Sequence, residues 1–229
     1  MTPILSVRDL KVAYGREMVV KGVSFNVRPG EIFGLVGESG SGKSTIAKAL
    51  MRLVPIASGR VESRAKSVQM VFQDAVGSLN PRMTVRETLA EVVRVHHART
   101  SIEELLDFVA LSPAVLSQVP REMSGGQCQR VSIARALACS PEILIADEPV
   151  SALDVSVQAR VLNLLRDLRT RLGLTILLIA HDLAVVKNVC DEIAVMEKGR
   201  FVDQGSAAEV FAHPMSDYTR RLLEAVPTL

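Results

Sequence analysis

Ile32-Phe33-Gly34-Leu35-Val36-Gly37-Glu38-Ser39-Gly40-Ser41-Gly42-Lys43-Ser44-Thr45 is the stretch that decides the fold. Its first five residues form an apolar run that reads as a buried strand, and Ile46 to Met51 reads as the opening turns of a helix. Between them a glycine, four residues, then glycine, lysine and serine make the phosphate-cradling spacing, in the strand–loop–helix setting it requires. Gly37, Gly40 and Gly42 let successive backbone N–H groups turn inward. Ser39, Ser41 and Thr45 complete the loop and the helix start, whose partial positive charge also faces an anion. Lys43 is placed to reach the β and γ phosphates of ATP, and the Ser44 hydroxyl to take one position on Mg²⁺.

The 229 residues suffice for one large α/β domain or a core with a small subdomain. A formal net charge of +2 and scattered basic residues give no basic patch for nucleic acid, and the absence of tryptophan leaves no stacking platform. Cys128, Cys139 and Cys190 lack paired or metal-ligand spacing, as expected of free thiols in a reducing compartment. Met1-Thr2-Pro3-Ile4 carries no export signal, and the longest apolar stretch, Leu174 to Ala180, is too short to span a bilayer. A cytosolic protein is expected, reaching a membrane only through a partner.

Ile4 to Ala13 and Met18 to Val27 read as strands flanking Tyr14-Gly15, and Pro29-Gly30 as the turn into the decisive stretch. The helix after the loop is expected to stop near Pro55, with Ser58-Gly59-Arg60 turning the chain into a strand over Ser67 to Phe72. From Ala75 to about Pro120 strand signals disappear. Thr84 can cap one helix, and Ser101 with Glu104 forms a capping box for another over Ile102 to Ala110. This predicts a small α-helical insert over residues 75–120 between core segments 1–74 and 121–229.

Ser124-Gly125-Gly126-Gln127 opens a further helix, and Ile143 to Asp147-Glu148 is a buried strand ending in two carboxylates. Val157, Val161, Leu164, Leu168 and Leu172 recur at helical spacing, and Leu174 to Ala180 is a strand ending at His181-Asp182. Glu192 to Met196 and Phe201-Val202 surround a Lys198-Gly199 turn, and two short helices separated by Pro214 are expected after Ala207. Ligands of open α/β sheets sit at the carboxyl ends of strands, so Lys43, Asp147, Glu148 and His181 are expected to converge on one nucleotide. Asp147 is suited to hold Mg²⁺, and Glu148 to polarise an attacking water and accept its proton.

With these motifs in order, the chain resembles the nucleotide-binding subunit of an ABC transporter from about Ile4 onward. The resemblance implies an α/β P-loop NTPase core, a mixed sheet with flanking helices and an N-terminal antiparallel β subdomain, plus the helical insert. It implies that Tyr14 stacks on adenine, that Gln73 senses the γ-phosphate and Mg²⁺, and that His181 contacts phosphate. Alone, these would be a strand-end aromatic, a polar strand end and a structural histidine. Ser124 to Gln127 matches the signature motif, implied to bind the γ-phosphate across a head-to-tail dimer, and Ser151-Ala152-Leu153-Asp154 matches the D-loop. Asp154 also reads as a helix cap, and His96, His97 and His213 as surface residues.

A narrower likeness lies in Val71 to Val85, with Ser78-Leu79-Asn80-Pro81, and in the tail His213 to Leu223. Both are similar to importers of oligopeptides, dipeptides and nickel. They imply an ATPase subunit on the cytoplasmic face of the plasma membrane, serving permease subunits and a substrate-binding protein, as a homodimer or a heterodimer. A non-transport ATPase of this type, acting on DNA or ribosomes, is the alternative; the single nucleotide domain, missing coiled coil and missing basic patch weigh against it. A subunit that binds ATP without turnover is countered by the presence of Glu148 and His181. The sequence departs from the pattern at Met123, Ala75 and Cys128, the last expected to alter a contact near the partner's phosphates. The segment from Gly59 to Val68 is short, and the sequence ends just after Val226-Pro227 without the extension many such subunits carry.

Overall fold

A computed structural model describes residues 2–225; Met1 and residues 226–229, Val226-Pro227 among them, lie outside it. Six strands form the central sheet: β3 (Ile32–Val36), β5 (Val68–Val71), β6 (Ile143–Asp147), β7 (Thr175–Ala180), β8 (Glu192–Glu197) and β9 (Arg200–Ser206). Their order is β5-β6-β7-β3-β8-β9, parallel except for β9, which returns antiparallel to β8. A second, antiparallel sheet contains β1 (Leu5–Tyr14), β2 (Glu17–Val27) and β4 (Ser58–Ser63), in the order β2-β1-β4. The mixed sheet and the antiparallel β subdomain are those the resemblance implies.

The uninterrupted apolar runs have a simple cause: both faces of the central sheet are covered. Phe33 and Leu35 of β3, with Ile143, Ile145, Leu177 and Ile179, pack with the antiparallel sheet and with Ile46 and Ala47 of α1 (Lys43–Leu50). The alternate residues Ile32, Val36, Leu144, Ile176 and Leu178 face the opposite layer. That layer contains α4 (Gly125–Leu137) and α5 (Val155–Leu172), and its core runs on into α2 (Val85–Val95) and α3 (Ile102–Phe108) through Leu89, Leu105 and Leu106. Phe25 stacks on Phe33 at 5.2 Å between ring centroids and fastens the outer sheet to the central one.

Local chemistry sets the helix ends. Thr84 with Glu87, Ser101 with Glu104, and Ser124 with Gln127 each form a complete capping box. Gly173, at φ 65°, closes α5 in the left-handed conformation that glycine adopts without strain. Three further helices, α6 (Leu183–Lys187), α7 (Ala207–Ala212) and α8 (Asp217–Glu224), follow β7 among the described residues.

Three expectations are corrected. Ser58 to Arg60 is the start of a strand, β4, rather than a turn: its backbone finds a partner along the edge of β1, where Val7 faces Val61. Leu172 belongs to the exposed end of α5, at 41% exposure, because the buried stripe ends at Leu168. Cys128 is wholly buried, its thiol donating to the Pro120 carbonyl at 3.5 Å, so it packs the core instead of facing an interface.

Candidate active site

Four adjacent parallel strands, β5, β6, β7 and β3, end side by side. Gln73 lies just past β5, Asp147 ends β6 with Glu148 next to it, His181 lies just past β7, and the glycine-rich loop leaves β3. Their carboxyl ends therefore deliver the expected polar residues to one edge of the sheet.

The loop is held by its own lysine. Lys43 Nζ donates to the carbonyls of Gly37 at 2.7 Å and Glu38 at 2.9 Å, curling the loop around its own ammonium. Burial lowers the Lys43 pKa, against the opposing pull of Glu148, Asp147 and Glu38. Gly37, at φ 151°, leaves no room for a side chain: a Cβ there would lie 2.1 Å from the Met196 carbonyl oxygen. A Cβ at Gly40 would meet nothing within 4 Å, so the loop's outer rim is open to a ligand.

Beside the loop, Ser44 Oγ donates to Asp147 Oδ1 at 2.9 Å. Burial pushes the Asp147 carboxyl up and the neighbouring Glu148 adds to this, while the Ser44 bond and Lys48 and Lys43 oppose it. Such a carboxylate gains from a cation. A hydroxyl and a carboxylate oxygen in contact form a hard donor pair that suits Mg²⁺. Gln73 Nε2 donates to Glu148 Oε2 at 3.0 Å, and His181 Nδ1 lies 3.7 Å from the same oxygen. The Glu148 backbone is left-handed, at φ 45°, and its N–H donates to the Ile179 carbonyl at 3.0 Å. A non-glycine residue pays about 1–2 kcal/mol for that conformation. With this backbone the Glu148 carboxylate stands within reach of both Gln73 and His181.

A cavity of about 290 Å³ is lined by Tyr14, Val19, Ser39, Gly40, Gly42 to Thr45, Gln73 and Glu148. Asp147 reaches it through Ser44, and His181 through Glu148. Tyr14 stands at its rim with 47% of its surface exposed. Ser124, Gly126 and Gln127 line a different concavity of about 400 Å³ with Arg130 and Arg160, and the two share no residue. Gly125 borders a third recess beside Gln73 and Glu148. At the signature stretch Gln127 N–H donates to Ser124 Oγ at 3.2 Å, and a Cβ on Gly126 would lie 2.5 Å from Val157 Cγ1, so the helix start sits tight against α5. Asp154 caps α5, accepting from Val157 N–H at 3.0 Å and Ser156 Oγ at 2.8 Å. Ser151, not singled out from the sequence beyond its motif, donates to the Glu148 carbonyl at 3.2 Å and lies 3.5 Å from Gln73 Nε2. His96, His97 and His213 are exposed.

Comparison with known proteins agrees with this arrangement. Residues 20–151 match the family described as ABC transporter. The oligopeptide transport ATP-binding protein OppF of Lactococcus lactis subsp. lactis is 43% identical over 261 aligned residues, covering 100% of this chain and 82% of that protein. Among solved structures, cbiO1 from Clostridium perfringens, part of the ABC transporter complex cbiONQ, superposes with TM-score 0.83 at 28% identity, covering 93% of this chain and 92% of that one. A dimeric ATP-binding cassette in a post-hydrolysis state with ADP and Pi gives TM-score 0.76 at 27% identity, covering 89% and 98%. The chain belongs to the ABC transporter family, as an ATP-binding subunit that hydrolyses ATP and serves membrane permease partners.

Proposed function

We propose that this subunit powers uptake of peptides, working as one of two paired ATPase subunits on the cytoplasmic face of the membrane and drawing cargo from a substrate-binding protein. The single observation that carries the catalytic part is the Gln73–Glu148–His181 cluster beside the phosphate loop. The peptide cargo rests on the name of the Lactococcus relative, in which nickel finds no support. Among the described residues no helix is long and apolar enough to cross a membrane.

In this proposal the backbone amides of Ser39 to Thr45 and the Lys43 ammonium bind the phosphates, and Tyr14 stacks on the adenine. Ser44 and Asp147 hold Mg²⁺, with Gln73 near it; the ion, when bound, neutralises charge on the β and γ phosphates. Glu148 orients water and accepts its proton, and His181 contacts the γ-phosphate. Ser124, Gly125, Gly126 and Gln127 of one subunit complete the partner's site, with Asp154 near the junction. Support for this division comes from the separation of the two concavities, which share no residue. The core segments 1–74 and 121–229 carry the nucleotide, and the helical insert 75–120 is joined to them next to Gln73.

Peptide uptake by cells lacking the chain, complemented with the parent or with Glu148→Gln, tests the proposal. The parent is expected to restore uptake and the variant not to. Restoration by both would sink the catalytic assignment, and restoration by neither would sink the cargo.

A further inference from the structure

The phosphate loop is gripped from the far end of the chain. Tyr218, on α8, is buried, and its phenol oxygen accepts the Glu38 N–H at 3.0 Å across 180 residues of sequence. Glu38 is the second residue of the loop, between the Gly37 carbonyl and the Glu38 carbonyl that Lys43 holds. Burial raises the phenol pKa, so its oxygen stays a neutral acceptor. The helix bearing it is itself pinned. The Asp203 carboxylate of β9 accepts from the amides of Met215 at 2.8 Å and Ser216 at 3.0 Å, from the Ser216 hydroxyl at 2.6 Å, and from the Thr219 hydroxyl. Thr219 is fully buried. A rigid line therefore runs from β9 through the start of α8 to the loop.

We infer that Tyr218 is a positioning residue for ATP binding: its hydroxyl engages the outward amide of Glu38 and so fixes the inward orientation of the next amides along the loop. Without it, the Glu38 peptide is free to rotate, and the loop must be ordered at the moment of binding. Interactions lost equally from the ground and transition states raise KM and leave kcat alone.

Tyr218→Phe deletes one oxygen and keeps the ring. An ordinary neutral hydrogen bond corresponds to a factor of roughly 2–12. Expected for the full chain are a KM for ATP raised by a factor in that range, an unchanged kcat, and faster hydrogen exchange at the Glu38 amide. Val109→Ala serves as the companion: it trims a wholly buried side chain beside α3, outside the line from β9 to the loop, and is expected to lower Tm with KM unaltered. If Tyr218→Phe alters neither KM nor Glu38 exchange, or if KM tracks Tm in both variants, Tyr218 merely packs α8 and the inference is overturned. The inference rests on ATP occupying this loop; a parent chain that fails to bind ATP would sink that reading, whereas a binding-competent parent with an indifferent Tyr218→Phe sinks the inference alone.

Discussion

Ser44 Oγ donates to Asp147 Oδ1 at 2.9 Å, joining the first turn of α1 to the end of β6. A hydroxyl that donates here keeps its lone pairs for a cation, which Ser44 and Asp147 would hold together. Asp147→Asn keeps an acceptor for Ser44 and loses the charge. ATP affinity in the presence of Mg²⁺ is expected to fall roughly 10–100-fold. Titration in EDTA should show little difference between parent and variant; equal losses in both conditions would remove Asp147 from the metal.

Glu148→Gln preserves the shape of the group that accepts from Gln73 and abolishes its basicity. Turnover should drop by about 10²–10⁴, the contribution typical of a general base. ATP binding should persist, and light scattering should show a dimer that outlives the parent's. Hydrolysis at the parent's rate would end the assignment.

Ser124→Arg places a long cation at the start of α4, where the hydroxyl now caps the helix. The lost cap costs about 1 kcal/mol, which the fold can absorb. The variant should titrate ATP as the parent does and fail to dimerise on it. Sedimentation with ATP measures this directly, and a normal dimer would take Ser124 out of the shared site.

Burial pushes the Asp203 carboxyl up, yet its bonds from Ser216, Thr219 and the amides of Met215 and Ser216 prevail and hold it below the ordinary range. A depressed carboxylate pKa stabilises the fold above its unfolded value, near 3.9, and that contribution fades as pH falls through the folded value. The Tm advantage of the parent over Asp203→Asn is therefore expected to shrink between about pH 5 and about pH 3. A gap constant across that range would mean that the carboxylate charge contributes nothing.

Most of the central sheet was legible because its strands are covered on both faces and read as apolar runs, and because the loop motif fixes the turn and helix after β3. The cap at Thr84 and the capping box at Ser101 were equally plain, since their partners lie within one turn. β4 was not. In Ser58 to Ser63 only Val61 is even half-buried, so no alternation marks a strand that exists by edge pairing with β1. α6 is five residues long and too short for a helical period to show. The line from Asp203 to Tyr218 to Glu38 was beyond reach for another reason: each residue has an ordinary local reading, and only the fold brings them together.

The turn at Gly199 has a mechanical meaning. Its N–H donates to the Ser41 carbonyl at 2.9 Å and its carbonyl accepts from Lys21 N–H at 2.8 Å, so one residue couples the phosphate loop to β2 of the outer sheet. At φ 89° a Cβ would lie 2.3 Å from the Val19 carbonyl, so the coupling is made of main chain alone. Such a hinge pin has no side chain to slacken. Loop and outer sheet are thereby held in one register, main chain to main chain.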